Sequence, residues 1–247
     1  MSYTIKPILS ALLLAALLSG CAAPPFDATE SIPTSTPPPP TQAAPTKTPP
    51  PVKVQVEIPV NTERFTGSFP ATMTGNGSVG FIFANTEVND PSEWQPLVDA
   101  LDGNENLRMA TFAFRDVHST SFADTRAVFD YLRANGIDKV ICIGSYYGAG
   151  ACADLRTEPE IIGMVFFPSP IIPFLQEDFP KLFLTADADP SGYAGILQQV
   201  YERSAEPKIF KSYSSGRHGP ALFTDPEVGS QALADVVLFI NEIVNGQ

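Results

Sequence analysis

The sequence predicts a three-layer α/β/α sandwich, built on a mostly parallel central sheet with an antiparallel N-terminal edge. Three observations predict it. Residues 78–85 (Ser-Val-Gly-Phe-Ile-Phe-Ala-Asn) and 139–144 (Lys-Val-Ile-Cys-Ile-Gly) are near-continuous apolar runs of strand length, the pattern of strands buried on both faces. Further strand-like runs alternate with helix-period segments of roughly ten to fifteen residues, as βα units require. The first two strand-like runs have no such segment between them, so they pair as a hairpin at one edge.

The elements follow in order. Val54, Val56, Ile58 and Val60 alternate with polar residues and read as a half-buried strand, with residues 64–69 as its hairpin partner. Gly75-Asn76-Gly77 is a turn before the strand at 78–85. Ser92 reads as the N-cap of a helix over 94–101, which Asp102-Gly103 ends. A strand at 107–114 leads to a helix over 120–135, with Phe122, Val128, Phe129 and Leu132 on its apolar face and Gly136 at C′. The strand at 139–144 then enters Gly144-Ser145-Tyr146-Tyr147-Gly148, a tight turn into a helix of small residues that permits close approach to the sheet. Strands at 161–167, 181–186 and 208–213 follow, with a helix over 193–204 and an apolar amphipathic helix over 230–244 closing the chain. Residues 169–179 are short, apolar and broken by proline, so they form no large lid and leave an open, shallow site.

Ahead of this domain, assigned to residues 53–247, the sequence has two other parts. Residues 1–20 carry Lys6 and then an apolar run too short to span a bilayer comfortably, as in an export signal. The run ends in Leu18-Ser19-Gly20-Cys21, which looks like a bacterial lipobox. That resemblance implies a lipidated Cys21 and a protein anchored on the extracytoplasmic face of a bacterial cell membrane without spanning it. An ordinary cleaved secretory signal is the other reading. Residues 21–52 hold eleven of the 25 prolines and read as a disordered, polyproline-rich tether. At full extension its ~30 residues reach roughly 90 Å.

Composition narrows the partners. The net charge is −12, and the four charges of residues 1–52 cancel, so the whole excess lies on the domain. An acidic domain repels phosphate backbones, which disfavours nucleic acid and leaves a small molecule as the expected partner beside the membrane. Two histidines, His118 and His218, are too few for a histidine-rich metal site, and no dinucleotide or phosphate-loop motif is present, so no metal or cofactor is expected. Cys142 and Cys152 read as small buried hydrophobes, with a bridge between them the lesser alternative. Nothing in the sequence points to an oligomeric state.

Four stretches carry a resemblance to a known family. They are Phe81-Ile82-Phe83-Ala84-Asn85 with Trp94 downstream, residues 127–150 ending in the glycine-flanked turn, residues 182–190, and Gly216-Arg217-His218-Gly219. Together they resemble the α/β-hydrolase superfamily, especially its small dienelactone-hydrolase and serine-esterase members, across most of residues 53–247. The resemblance implies a hydrolase of small ester or acyl substrates, with a nucleophile, an acid and a histidine in that chain order. Carried over by position, Tyr146 stands where the nucleophile belongs, Asp189 at the acid and His218 at the base. Tyr147 and Thr86 stand at the oxyanion donors. Asp187 is a rival acid, and His118 and Arg217 lie where they can line the rim.

Two positions depart from the family pattern. Ala84-Asn85 replaces its His-Gly, and Tyr146 replaces the serine. A phenol held as phenolate at pH 7 costs about 4 kcal/mol, and its ring fills the space an acyl group needs, so Tyr146 suits a hydrogen-bond donor or proton shuttle better than a nucleophile. Ser145, one residue early, is the other candidate nucleophile. The remaining alternative is an inactive, tethered binding domain on the same fold.

Overall fold

The structure, a computed structural model, describes residues 53–63 and 65–246. The expected signal segment, Cys21 and the tether lie outside the described residues. Among the described residues no helix is long and apolar enough to cross a membrane.

Eight strands form one sheet in the order β1-β2-β4-β3-β5-β6-β7-β8. The hairpin of β1 (Lys53–Thr62) and β2 (Phe65–Thr74) forms the edge. β2 also pairs antiparallel with β4 (Leu107–Phe112). From β4 onward every pairing is parallel, through β3 (Val79–Ala84), β5 (Lys139–Gly144), β6 (Ile161–Phe166), β7 (Lys181–Ala186) and β8 (Lys208–Tyr213). The three-layer expectation with an antiparallel edge therefore holds.

Alternation along the buried strands divides the interior into two cores. Ile82, Cys142, Met164 and Phe183 face a layer formed by α2 (Ser121–Ala134), α3 (Tyr147–Asp154) and α4 (Ala194–Arg203). Phe81, Phe83, Ile141, Ile143 and Leu182 face α1 (Gln95–Leu101) and α5 (Gly229–Asn245). Burial on both faces is why these strands read as continuous apolar runs. From β3 the chain steps outward to β4, then returns to β5 on the other side of β3. Adjacent loops leave the sheet in opposite directions at such a reversal, which opens a crevice at the carboxyl ends of β3 and β5.

Three local expectations change. Helix α1 is preceded by a 3₁₀ turn, Pro91–Trp94, and its cap is Asp90, whose side chain accepts from the Ser92 N–H at 2.9 Å. Ser92 is thus the capped residue, because Pro91 at the first position favours the preceding aspartate as cap. Phe122 is 42% exposed and lies over Gly150 beside Ile171, so it covers a glycine on α3 and does not enter the core. Cys142 and Cys152 are joined in a disulfide, with Cα atoms 5.7 Å apart. The near contact of β5 and α3, made possible by glycine and alanine, brings the two sulfurs together. Replacing either cysteine by alanine is expected to cost about 3 kcal/mol, the chain-entropy value for a loop of ~10 residues. Thermal melting under non-reducing conditions reads this as a fall of roughly 6–12 °C.

Candidate active site

Strand β5 ends at Gly144, and the chain reverses into α3 through Ser145 and Tyr146. Tyr146 has φ 51° and ψ −115°, a region that costs a non-glycine residue about 1–3 kcal/mol. The turn is tight enough that a Cβ on Gly144 would run into the Gly148 backbone, and one on Gly148 into the backbone of Ala84 and Asn85. Glycine at both positions is therefore a packing requirement. The disulfide joins the two arms of this elbow, four residues before Tyr146 and six after it.

The structure brings Asp189 and His218 together. Loops following β7 and β8 place the His218 Nδ1 3.0 and 2.9 Å from the two Asp189 oxygens. A carboxylate only accepts, so Nδ1 carries the proton and Nε2 is left as the free nitrogen of the neutral ring. Asp189 has a fully buried side chain and accepts also from the Ser191 N–H at 2.8 Å. Burial alone would raise its pKa, but the hydrogen bonds from His218 and Ser191 outweigh that and hold it below the usual carboxylate value. Burial alone would lower the His218 pKa. The Asp189 hydrogen bond and charge, with Glu87 and Glu93 adding to them, raise it instead. Asp187, the rival acid, accepts from the Ser215 N–H at 3.1 Å and makes no hydrogen bond to His218 among the described residues.

Tyr146 stands on the same side as this pair. Its ring centroid is 6.3 Å from that of His218, 4.8 Å from Tyr147 and 5.5 Å from Tyr193. Hydrogen bonding with Tyr193, then burial and neighbouring charge, push its pKa up to about 12. The phenol is thus protonated at neutral pH. His118 joins the cluster through Tyr147, with its Nδ1 3.0 Å from the tyrosine hydroxyl.

Ser145 is fully buried and its Oγ has no hydrogen-bond partner. It packs under the histidine loop, where a Cβ on Gly219 would lie 2.6 Å from that oxygen. No Ser145–His218 hydrogen bond forms among the described residues, and the His218 Nε2 is likewise buried and unpartnered. Two orphaned polar atoms in one neighbourhood mark a place where water or ligand oxygen would be stabilised.

The expected oxyanion donors divide. Tyr147 opens α3, and its N–H makes no hydrogen bond among the described residues. Thr86 does not serve, because its N–H and Oγ1 both donate to the Glu93 carboxylate, at 2.8 and 2.7 Å. Burial raises the Glu93 pKa, and the two bonds from Thr86 oppose that rise. Asn85 is itself structural. It donates to the Phe112 carbonyl at 2.7 Å and accepts from the Trp94 indole at 3.1 Å.

Glu87, Glu93 and Tyr193 carried no sequence signal, since the contacts that bring them to the site cross between loops. Glu87 lies 4.0 Å from the His218 Nε2, on the wall of a cavity of about 570 Å³ that Glu93, Arg217 and His218 also line. Among the described residues no group of three or more His, Cys, Asp or Glu is placed to hold a metal.

No protein-family model matches the chain. A protein of Saccharolobus solfataricus named "Putative carboxymethylenebutenolidase" is 26% identical over 133 residues. That match covers 49% of this chain and 52% of the relative, so the chain spans about half the length of the curated protein it matches. Solved structures align more fully. An esterase of Pyrococcus furiosus superposes with a TM-score of 0.63 at 16% identity, over 78% of this chain and 93% of that one. A monoacylglycerol lipase of Paleococcus ferrophilus gives 0.61 at 12%, over 72% and 98%. A dienelactone hydrolase of Anabaena variabilis gives 0.58 at 12%, over 78% and 98%. The fold is that of the α/β-hydrolases.

Proposed function

We propose that the domain hydrolyses small ester or related acyl substrates, with His218 as general base and no covalent enzyme intermediate. The observation that carries this reading is the Asp189–His218 pair, whose Nε2 is left free beside the elbow. Tyr146 occupies the position where the fold's nucleophile stands. As a protonated phenol it donates a hydrogen bond and does not attack. Water is then the nucleophile. His218 Nε2 takes a proton from it as the water oxygen bonds to the carbonyl carbon. The carbonyl oxygen gains the electron pair and accepts from the Tyr147 N–H and the Tyr146 hydroxyl. Collapse breaks the bond to the leaving oxygen, which receives the proton from His218, while Asp189 stays ionised throughout.

The test is turnover of short-chain aryl esters against a His218→Ala control, measured across pH. The neutral imidazole is the active form, and its pKa is raised in the folded protein. The expected profile therefore rises with pH through a midpoint above 6.5 and falls away below it. No turnover above the control, at any pH, overturns the reading.

One observation favours a second reading, an inactive tethered binding domain. The Thr86 N–H is engaged by Glu93, which leaves the developing oxyanion one backbone donor fewer.

For the chain as a whole we propose an export signal at 1–20, a lipidated Cys21 with a tether to residue 52, and this domain on the extracytoplasmic face of a bacterial membrane. Support comes from the buried Cys142–Cys152 disulfide, a bond that persists in oxidising compartments and is rare in the cytosol.

A further inference from the structure

Helix α3 is held on the sheet by little side-chain packing. It runs Tyr-Gly-Ala-Gly-Ala-Cys-Ala-Asp, and Cys152 is the largest side chain it buries. Gly148 and Gly150 weaken it as a helix, and its alanines remove little apolar area from water. It starts at Tyr146, whose φ of 51° and ψ of −115° are unfavourable for a residue with a Cβ. A weak helix and a strained turn both favour release of the elbow. Backbone hydrogen bonds oppose release, from the Gly148 N–H to the Asn85 carbonyl at 3.1 Å and from the Tyr146 N–H to the Pro168 carbonyl at 3.2 Å. The Cys142–Cys152 bond opposes it covalently. It ties the middle of β5 to the second half of α3, with the strained residue between, and both cysteines are fully buried.

We propose that this bond is a redox latch on the candidate site. Closed, it holds α3 against β5, and with it Tyr146 beside His218 and the Tyr147 N–H at the start of the helix. Open, the chain keeps its sheet and outer helices, but the elbow relaxes and the site comes apart. Closing the latch removes two protons and two electrons from the two thiols. A disulfide-bearing oxidant takes them up by thiol–disulfide exchange and leaves as a dithiol. Neither sulfur is exposed in the folded protein, so the exchange belongs to the stage before α3 settles on the sheet. The latch is thus set once, in a compartment that oxidises thiols, and a chain that folds in a reducing one stays unlatched. Only the effect on turnover rests on the hydrolase reading; the effect on the elbow does not.

Amide hydrogen exchange of the full-length protein, followed by mass spectrometry, tests it. The oxidised parent is compared with Cys142→Ala/Cys152→Ala and with the parent unfolded, reduced and refolded in dithiothreitol. Both unlatched forms are expected to keep β3 and α5 protected, while residues 145–154 exchange at least about tenfold faster than in the oxidised parent. Adding Tyr146→Gly to the double alanine variant relieves the strained turn, and is expected to slow that exchange again by at least about threefold. In turnover of a short aryl ester below the melting range, the unlatched forms are expected to lose kcat by at least about tenfold, with KM within about threefold. Elbow exchange equal in latched and unlatched forms overturns the proposal, because the bond then only stabilises the fold as a whole. Unlatched forms with β3 and α5 also unprotected overturn it, as does full turnover with a loosened elbow. A parent without turnover refutes the hydrolase reading, and exchange alone then decides the latch.

Discussion

His218→Ala is expected to lower kcat/KM for short aryl esters by about 10²- to 10⁴-fold, the range a positioned general base contributes. Asp189→Asn should lose a large part of the same factor through a different route. The carboxylate fixes Nδ1 as the protonated nitrogen at 2.9–3.0 Å, whereas an amide can donate to Nδ1 and turn the ring to the wrong tautomer. The double variant should lose little more than His218→Ala alone, because the two residues act as one unit. Asp187→Asn is the matched control. Asp187 accepts from the Ser215 backbone and does not touch the imidazole, so its replacement should leave kcat/KM within about twofold. Equal losses at Asp187 and Asp189 would assign the effect to loop structure and remove the basis for His218 as base.

Tyr146→Ser is expected to act in the opposite direction. The backbone is already at φ 51° and ψ −115°, held by the strand, the helix and the disulfide, so the smaller side chain inherits the elbow conformation. A hydroxyl there replaces water as the attacking group, with His218 beside it. We expect kcat/KM to rise by at least about tenfold, equivalent to ~1.4 kcal/mol of barrier. A serine-directed fluorophosphonate should then label residue 146, whereas the parent protein should take up no label. Labelling of the parent at Ser145 would show that the buried hydroxyl attacks after all. That outcome requires its Oγ to leave the pocket under Gly219, since it makes no bond to His218 in the structure.

The legible parts of this molecule are those set by local chemistry. The glycines of the elbow announce a turn in which backbone meets backbone. The apolar runs at β3 and β5 announce strands covered on both faces, because α1 and α5 pack on one side and α2, α3 and α4 on the other. Asp189 and His218 were legible through the resemblance alone, which left Asp187 as a rival acid; each follows a strand end, β7 or β8, at the carboxyl side of the sheet. Contacts between loops were not. Thr86 reads as an oxyanion donor until Glu93, seven residues on and beyond a 3₁₀ turn, is seen to accept both its protons. Cys142 and Cys152 each read as buried, which is true, but a bridge depends on the spacing of β5 and α3, and no period in the sequence encodes that distance. Phe122 has the helical phase of a core residue. It is exposed because the turn of α2 that carries it lies over Gly150 beside Ile171.

The central claim is hydrolysis by the Asp189–His218 pair without a covalent enzyme intermediate. Its most direct test is intact-mass spectrometry of the parent protein, quenched during steady-state turnover of a short-chain aryl ester. The account predicts product formation that His218→Ala lowers at least about a hundredfold, with the protein mass unchanged at every time point. An acyl adduct that forms and decays at the turnover rate, on Tyr146 or Ser145, would contradict it.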